Sequence, residues 1–191
     1  MLRIIAGSAR GRRIEAPEGR DTRPTLDRVR ENLFNMLQGS VADARVLDLF
    51  AGSGALSLEA LSRGAESAVM ADRDREACRV IRKNTEALRF SDRARILQSE
   101  WKQTVQALRG EQFDLIFLDP PYAMTDLRDV MEALRPLMAE DCVTVIEHRA
   151  DTGVMVPAWL ETVKERKWGY CGVMICREEE KDEQLCDSGI V

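Results

Sequence analysis

The sequence predicts an α/β fold, a doubly wound and mostly parallel seven-stranded sheet with an N-terminal β-hairpin extension. Three observations predict it: five short apolar runs after residue 40, amphipathic stretches between them, and hairpin-like segments at both ends. The runs RVLDLF (45–50), SAVMAD (67–72), ARILQS (94–99), FDLIFLD (113–119) and CVTVIEH (142–148) are rich in Val, Ile, Leu and Phe. Near-continuous apolar strands are those covered on both faces, as parallel sheets require. Among the stretches between them, REACRVIRKNTEALR sets Ala77, Val80, Ile81 and Leu88 on one helical face. MTDLRDVMEALRP does the same with Leu127, Val130, Met131 and Leu134 before Pro136 stops it. Strand-helix alternation implies right-handed crossovers, hence a parallel sheet of Rossmann-like type.

The ends depart from this pattern. TLDRVRENLFNMLQG (25–39) reads as a helix with Leu26, Val29, Leu33, Met36 and Leu37 inward, Thr25 as N-cap after Pro24, and Gly39 at its close. Before it, LRIIAGSARGRRIEAP reads as two short strands around a glycine-containing turn. ETVKERKWGYCGVMICR (161–177) holds two more strands joined through WGYCG, an antiparallel hairpin at one sheet edge. The organisation expected is a basic hairpin over 1–24, one domain over 25–177, and an acidic, disordered tail over 178–191.

Composition bounds the function. The 191 residues, 45% hydrophobic and 32% charged, suffice for one domain with a real core. The net charge of −5 would disfavour a polyanionic partner, but residues 1–30 carry eight Arg against four acids, whereas 178–187 carry six acids against one Lys. The basic end can meet phosphate or be merely a solvated face. An odd set of five cysteines without a Cys-x-x-Cys pair, and one His, suits reduced thiols and argues against zinc or a disulfide framework. No apolar run reaches membrane-span length, and MLRIIAGSARGRR has its charges on the wrong side for a signal peptide. A cytoplasmic location is expected, with no metal and no membrane, and a monomer is favoured.

VLDLFAGSGALSLEAL sets Ala-Gly-Ser-Gly directly after the first long run and opens a helix with it. Gly52 and Gly54 let the chain turn tightly and let a ligand lie against bare backbone at a helix N-terminus. Asp72, eighteen residues after Gly54, ends the next strand, where an acid can accept a ribose diol. A dinucleotide fingerprint would want a third glycine where Ser57 stands, and it would leave Asp48 unexplained. An acid before the loop repels a pyrophosphate but suits the cationic methionine end of S-adenosylmethionine. The alternative for Asp48 is a carboxylate that only caps nearby amides.

The run LIFLDPPY ends at an acid, two prolines and a tyrosine. In a doubly wound sheet this end projects into the crevice beside the cofactor. Prolines stiffen the turn and donate no hydrogen bonds, so carbonyls there can accept. A nucleobase amine is a poor nucleophile because its lone pair is delocalised. Asp119 and the Pro120 carbonyl would hold its two N–H groups and aim the lone pair at a methyl donor, while Tyr122 stacks the base. A plain strand-closing turn is the alternative reading of the motif. His148, Trp168, Tyr170 and the cysteines on strands read as structural.

On these residues the chain resembles the RsmD-type methyltransferases, a family that modifies the N2 amine of a guanine in small-subunit (16S) ribosomal RNA. The likeness spans about residues 1–177 through RIIAGSARGRRIEAP, DTRPTLDRVRENLFNML, VLDLFAGSGALSLEALSRGA and LDPPY. It implies a class I S-adenosylmethionine-dependent methyltransferase with Asp48, Gly52 and Gly54 at the methionine end, Asp72 at the ribose and Glu100 near the adenine. Asp119, Pro120 and Tyr122 would hold the base. Thr22, Arg23, Pro24, Thr25, Arg28 and Asn32 would line the mouth of the site, and Arg10, Arg12 and Arg13 of the hairpin would meet RNA. Asp72 where Glu is common, and Trp101 beside Glu100, depart from the pattern. Competing readings are a DNA or RNA adenine-N6 methyltransferase using the same site, a nicotinamide-dependent reductase, and a non-enzymatic RNA-binding assembly factor.

Overall fold

A computed structural model of the protein describes residues 2–17 and 24–179. Two-residue strands β1 (Leu2–Arg3) and β2 (Arg13–Ile14) form the expected antiparallel hairpin. Then follow α1 (Pro24–Met36), β3 (Arg45–Asp48), α2 (Ala55–Ser62), β4 (Ser67–Asp72), α3 (Arg75–Leu88), β5 (Ala94–Gln98) and α4 (Trp101–Ala107). The remainder is β6 (Phe113–Leu118), α5 (Arg128–Leu134), a 3₁₀ turn over Arg135–Leu137, β7 (Met138–Arg149), β8 (Leu160–Trp168) and β9 (Cys171–Glu178).

Seven strands make one sheet in the order β5-β4-β3-β6-β7-β9-β8. β3 to β7 run parallel, and β9 lies antiparallel to both β7 and β8. Successive residues of each inner strand feed opposite faces, so two cores form. Val46, Leu115, Phe117, Val143 and Val145 pack with Val29, Leu33 and Phe34 of α1, Leu58 and Leu61 of α2, and Ile81 of α3. Leu47, Ile116, Leu118 and Ile146 pack with Val130, Met131 and Leu134 of α5 and, through partly buried Trp101 and Val105, with α4. The predicted inward faces of α3 and α5 are all buried.

Corrections to the sequence reading are local. Pro24 already stands inside α1, so Thr25 is helical rather than the N-cap; proline's fixed φ and missing N–H suit a first helical turn. That helix ends at Met36, and Gly39, at φ 90°, turns the chain three residues later. β7 starts four residues earlier than the apolar run, at Met138, and α5 starts only at Arg128 because Asp126 first bridges Met155. α4 over Trp101–Ala107 was not anticipated. β9 extends through Glu178, whose carboxylate pairs with Arg135, so the acidic tail begins beyond it; residues 180–191 lie outside the described residues. His148 is structural as expected: its ring lies so close over Gly172 that a Cβ there would meet it at 2.4 Å.

The N-terminal hairpin is locked into the first core. Leu2, Ile4, Ala9 and Ile14 are buried in it. The Glu59 carboxylate, fully buried on α2, accepts the Ile5 and Ala6 amides at 2.7 and 3.0 Å and also Arg63 Nε at 2.7 Å. Ser62 continues the seam: its hydroxyl donates to Ala6 O and accepts from Ala9 N, and its carbonyl accepts from Ser8 N at 2.7 Å. Gly7 sits at φ 81° against that carbonyl, and an added Cβ would lie 1.8 Å from the Ser62 oxygen. Among the described residues no helix is long and apolar enough to cross a membrane, and no cluster of three or more His, Cys, Asp or Glu could hold a metal ion.

Gly7→Ala therefore combines left-handed backbone strain with a backbone clash and should cost about 2–4 kcal/mol. Thermal unfolding checks it: the midpoint should fall by roughly 2–4 °C for each kcal/mol in a chain of this size.

Candidate functional site

Strand order reverses between β3 and β6. The chain leaves β3 through α2 toward one face and leaves β6 through α5 toward the other. A crevice opens outside the carboxyl ends of the strands at such a point. The glycine loop after β3 and the Asp119–Tyr122 segment after β6 both emerge there. They line one hollow of about 160 Å³ that includes Asp48, Phe50, Gly52, Ser53, Asp119 and Glu147, with Val29 and Arg30 of α1 on its wall. Larger surface hollows of about 580 and 740 Å³ lie at the amino ends of the strands, around Arg45 and Glu111, and between α4 and α5. Neither contains a strand-end acid.

The loop geometry follows from its glycines. Gly52 and Gly54 hold φ of 57° and 75°, left-handed values that side chains adopt at a cost. Gly54 caps α2 with its backbone alone, and a Cβ there would press on Met70 and Ile81. The Asp72 carboxylate ties the loop down: one oxygen accepts Gly52 N at 2.9 Å, the other accepts Asp74 N at 2.9 Å. An ionised carboxylate has about four acceptor directions, so a diol can still be bound beside these amides.

Asp48 is buried at the end of β3, with Ser57 Oγ donating to it at 3.0 Å. Burial pushes its pKa up to about 7, against the hydrogen bonds from Ser57, and the Asp72 charge adds to the rise. The nearby amides of Ser57 and Phe50 also favour its charged form. Ser57, noticed in the sequence only as a missing glycine, is the hydroxyl that holds this acid.

Glu100 stands at the rim, more than half exposed, with Arg73 at 3.6 Å; it does not line the hollow. Trp101 is half-buried against the second core, as a core residue would be, with Lys102 over its ring. Across the crevice, Pro120 is buried and Tyr122 exposed; the Pro121 carbonyl closes the turn by accepting Met124 N at 2.7 Å. Among the described residues no backbone N–H donates to the Pro120 carbonyl. Tyr122, Pro120 and Glu147 line a second, smaller hollow. Burial, then the charges of Glu147 and Asp119, push the Tyr122 phenol up.

Of the residues expected to meet RNA, Arg10 and Arg13 are exposed on the hairpin, whereas Arg12 donates to the Ala87 carbonyl at the end of α3 at 2.5 Å. Arg28 and Asn32 line a separate groove between α1 and Trp168–Gly169 at the β8–β9 turn. Arg23 lies outside the described residues, as does the side chain of Thr25.

Sequence reasoning missed Glu147. Its signal was present: VLD, VMAD, IFLD and VIE all run from apolar residues into an acid at a strand end. Burial raises the Glu147 pKa, opposed by a hydrogen bond with Cys171. It also missed buried Arg30, which donates to Arg3 O at 2.5 Å and to Asp27 at 2.9 Å and fixes α1 to the hairpin. Nothing local marked that arginine as interior.

The donor set fits the expected cofactor: two glycines leave backbone open, and Asp48 and Asp72 supply negative charge and diol acceptors. The family model described as Conserved hypothetical protein 95 matches residues 2–177. The chain is 37% identical over 184 residues to the Bacillus subtilis (strain 168) protein YlbH, covering 93% of this chain and 99% of that one. It is 35% identical over 189 residues to ribosomal RNA small subunit methyltransferase D of Escherichia coli (strain K12), covering 97% and 94%. The solved structure of the Escherichia coli protein yhhF superposes with a TM-score of 0.82 at 35% identity, covering 94% of this chain and 99% of that one.

A cationic ligand beside Asp48 requires the carboxylate. With the free-protein pKa near 7, binding of such a ligand must release a proton at lower pH. Calorimetry with S-adenosylmethionine should show affinity level above about pH 7 and falling up to about tenfold per unit below it. Asp48→Asn should bind more weakly, with that dependence removed.

Proposed function

The chain belongs to the Conserved hypothetical protein 95 family, the RsmD-type methyltransferases, and from that membership we propose that it methylates the exocyclic N2 amine of a guanine in small-subunit (16S) ribosomal RNA. Family membership makes it an S-adenosylmethionine-dependent rRNA methyltransferase; the guanine and its amine are the finer reading. The observation that supports methyl transfer to an amine is the hollow that Asp119 lines together with the Gly52 loop and Asp48, and the choice of guanine follows the family resemblance.

Asp48, Gly52 and Gly54 would hold the methionine end of the cofactor, Asp72 its ribose, and Glu100 the rim near its adenine. When bound, the cofactor would supply an electrophilic methyl carbon to the N2 lone pair, with S-adenosylhomocysteine as the leaving product and one proton lost from the alkylated amine. Asp119 and the Pro120 carbonyl accept the two N–H groups beforehand, which draws the lone pair out of conjugation and sets its direction. No strong base is needed, because the amine proton becomes acidic only on alkylation; Asp119 stabilises the developing charge and passes the proton to water. Tyr122, half exposed at the crevice mouth, offers a face for stacking, and a paired target would be flipped out to reach it.

Affinity for RNA would come from cations at the rim. Arg10 and Arg13, with Arg12 shared with its helix cap, would meet phosphates, as would Arg28 from its groove beside Asn32, and the family resemblance assigns Arg23 and Thr25 to the entrance of the site. Such cations position the RNA without reading its sequence. The substrate would be ribosomal RNA within the small subunit or its precursor, and the protein would act in the cytoplasm.

Incubation with labelled S-adenosylmethionine and unmodified small subunits, followed by digestion to nucleosides, should place label on guanosine N2; label on adenosine would sink the reading. Asp119→Ala should lower kcat by about 10²–10³-fold or more while calorimetry finds cofactor affinity nearly unchanged. Replacing Arg10, Arg12 and Arg13 together should reduce the slope of log affinity against log salt by about 0.7–0.9 for each phosphate that is no longer neutralised.

A further inference from the structure

We propose that Glu147 is the residue that selects guanine, by accepting the N1–H of the target base while Asp119 and Pro120 hold its 2-amine. This rests on the guanine-N2 reading above and adds a residue to it. The juxtaposition is set by the sheet. Leu118, the last residue of β6, pairs in parallel register with Ile146 of β7, so Asp119 just beyond β6 and Glu147 within β7 come side by side at the crevice. Glu147 lines both the hollow of Asp48, Gly52 and Asp119 and the smaller one of Pro120, Pro121 and Tyr122. It therefore stands between the groups that would hold the amine and the ring that would stack the base.

Among the described residues no ion pair to it is found. Arg149 pairs with Asp151 at 2.6 Å, and Arg30 on the wall of the same hollow is bound to Asp27 and the Arg3 carbonyl. His148 Nε2 faces Glu165 at 3.5 Å while its Nδ1 bonds the Arg149 carbonyl, so that, of these cations, only a charge on His148 would favour the ionised form. The surroundings are otherwise Asp119, Tyr122 and the Cys171 thiol. A largely desolvated carboxylate without a counter-ion is costly unless a ligand supplies donors. Guanine supplies them in a row, N1–H beside the 2-amine. Adenine and 2-aminopurine instead present a lone pair at N1, which an ionised carboxylate repels. Sites built to accept a substrate N–H reject analogues that lack it, because the buried acceptor is then left unpaired.

The test uses small subunits reconstituted on RNA that carries guanine or 2-aminopurine at the nucleotide the wild-type protein methylates. 2-Aminopurine keeps the amine and lacks N1–H. Wild type should prefer guanine by about 10²-fold or more in kcat/KM. Glu147→Gln, whose amide can either accept from N1–H or donate to N1, should lower transfer to guanine at least about tenfold and bring the two substrates within a few-fold of each other. Binding without transfer gives a second readout: subunits carrying inosine, which keeps N1–H and lacks the amine, should compete better than those carrying 2-aminopurine for wild type but not for Glu147→Gln. A variant that keeps the wild-type preference, or that loses both substrates in equal proportion with no change in competition, overturns the assignment. Wild type that leaves no label on guanosine N2 overturns the guanine reading itself, and this inference with it.

Discussion

The reversal of strand order between β3 and β6 is the constraint on which the rest of the molecule depends. Because α2 and α5 carry the chain away to opposite faces, no crossover covers the ends of these two central strands. Two loops far apart in sequence then share one hollow, and the polypeptide between them can vary without moving either. The glycine turn and the proline turn meet the same requirement in different ways. One bares backbone without Cβ atoms at positive φ, and the other removes donors and stiffens an acceptor.

Charge is sorted around this crevice. Asp48 and Asp72 end β3 and β4, Asp119 follows β6 and Glu147 lies two residues before the end of β7, and the acids differ in their partners. Asp72 accepts two amides; Asp48 accepts a hydroxyl and remains hard to ionise; Glu147 has a thiol and, among the described residues, no ion pair. Such a crevice favours sulfonium, ammonium and amine N–H groups and repels phosphate. Exposed arginines stand elsewhere, Arg10 and Arg13 on the hairpin and Arg28 on α1.

A second lock shapes the wall of the hollow. Glu59 binds the amides of residues 5 and 6 and faces Arg30, which in turn binds Asp27 and the Arg3 carbonyl. Burial pulls the Arg30 pKa down, against the stabilising charges of Asp27 and Glu59. Breaking such a buried network by removing one member leaves an uncompensated charge, which costs more than the network contributes. The hairpin and α1 therefore keep one position beside the active strands.

Local pattern alone determined the strands, the inward faces of α3 and α5, the glycine turn with its downstream acid, and the DPPY segment as the end of a strand. Each of these is a property of residues close in sequence, where periodicity, missing Cβ atoms and missing N–H groups act directly. Other features were settled only in three dimensions. Arg12 caps a helix 75 residues away and Arg30 is interior, although both read as surface cations. Glu147 became part of the site only because the register of β6 against β7 sets it beside Asp119. Strand order and register are decided by which buried faces fit together across the whole chain, and that long-range packing leaves no mark on any single stretch of residues.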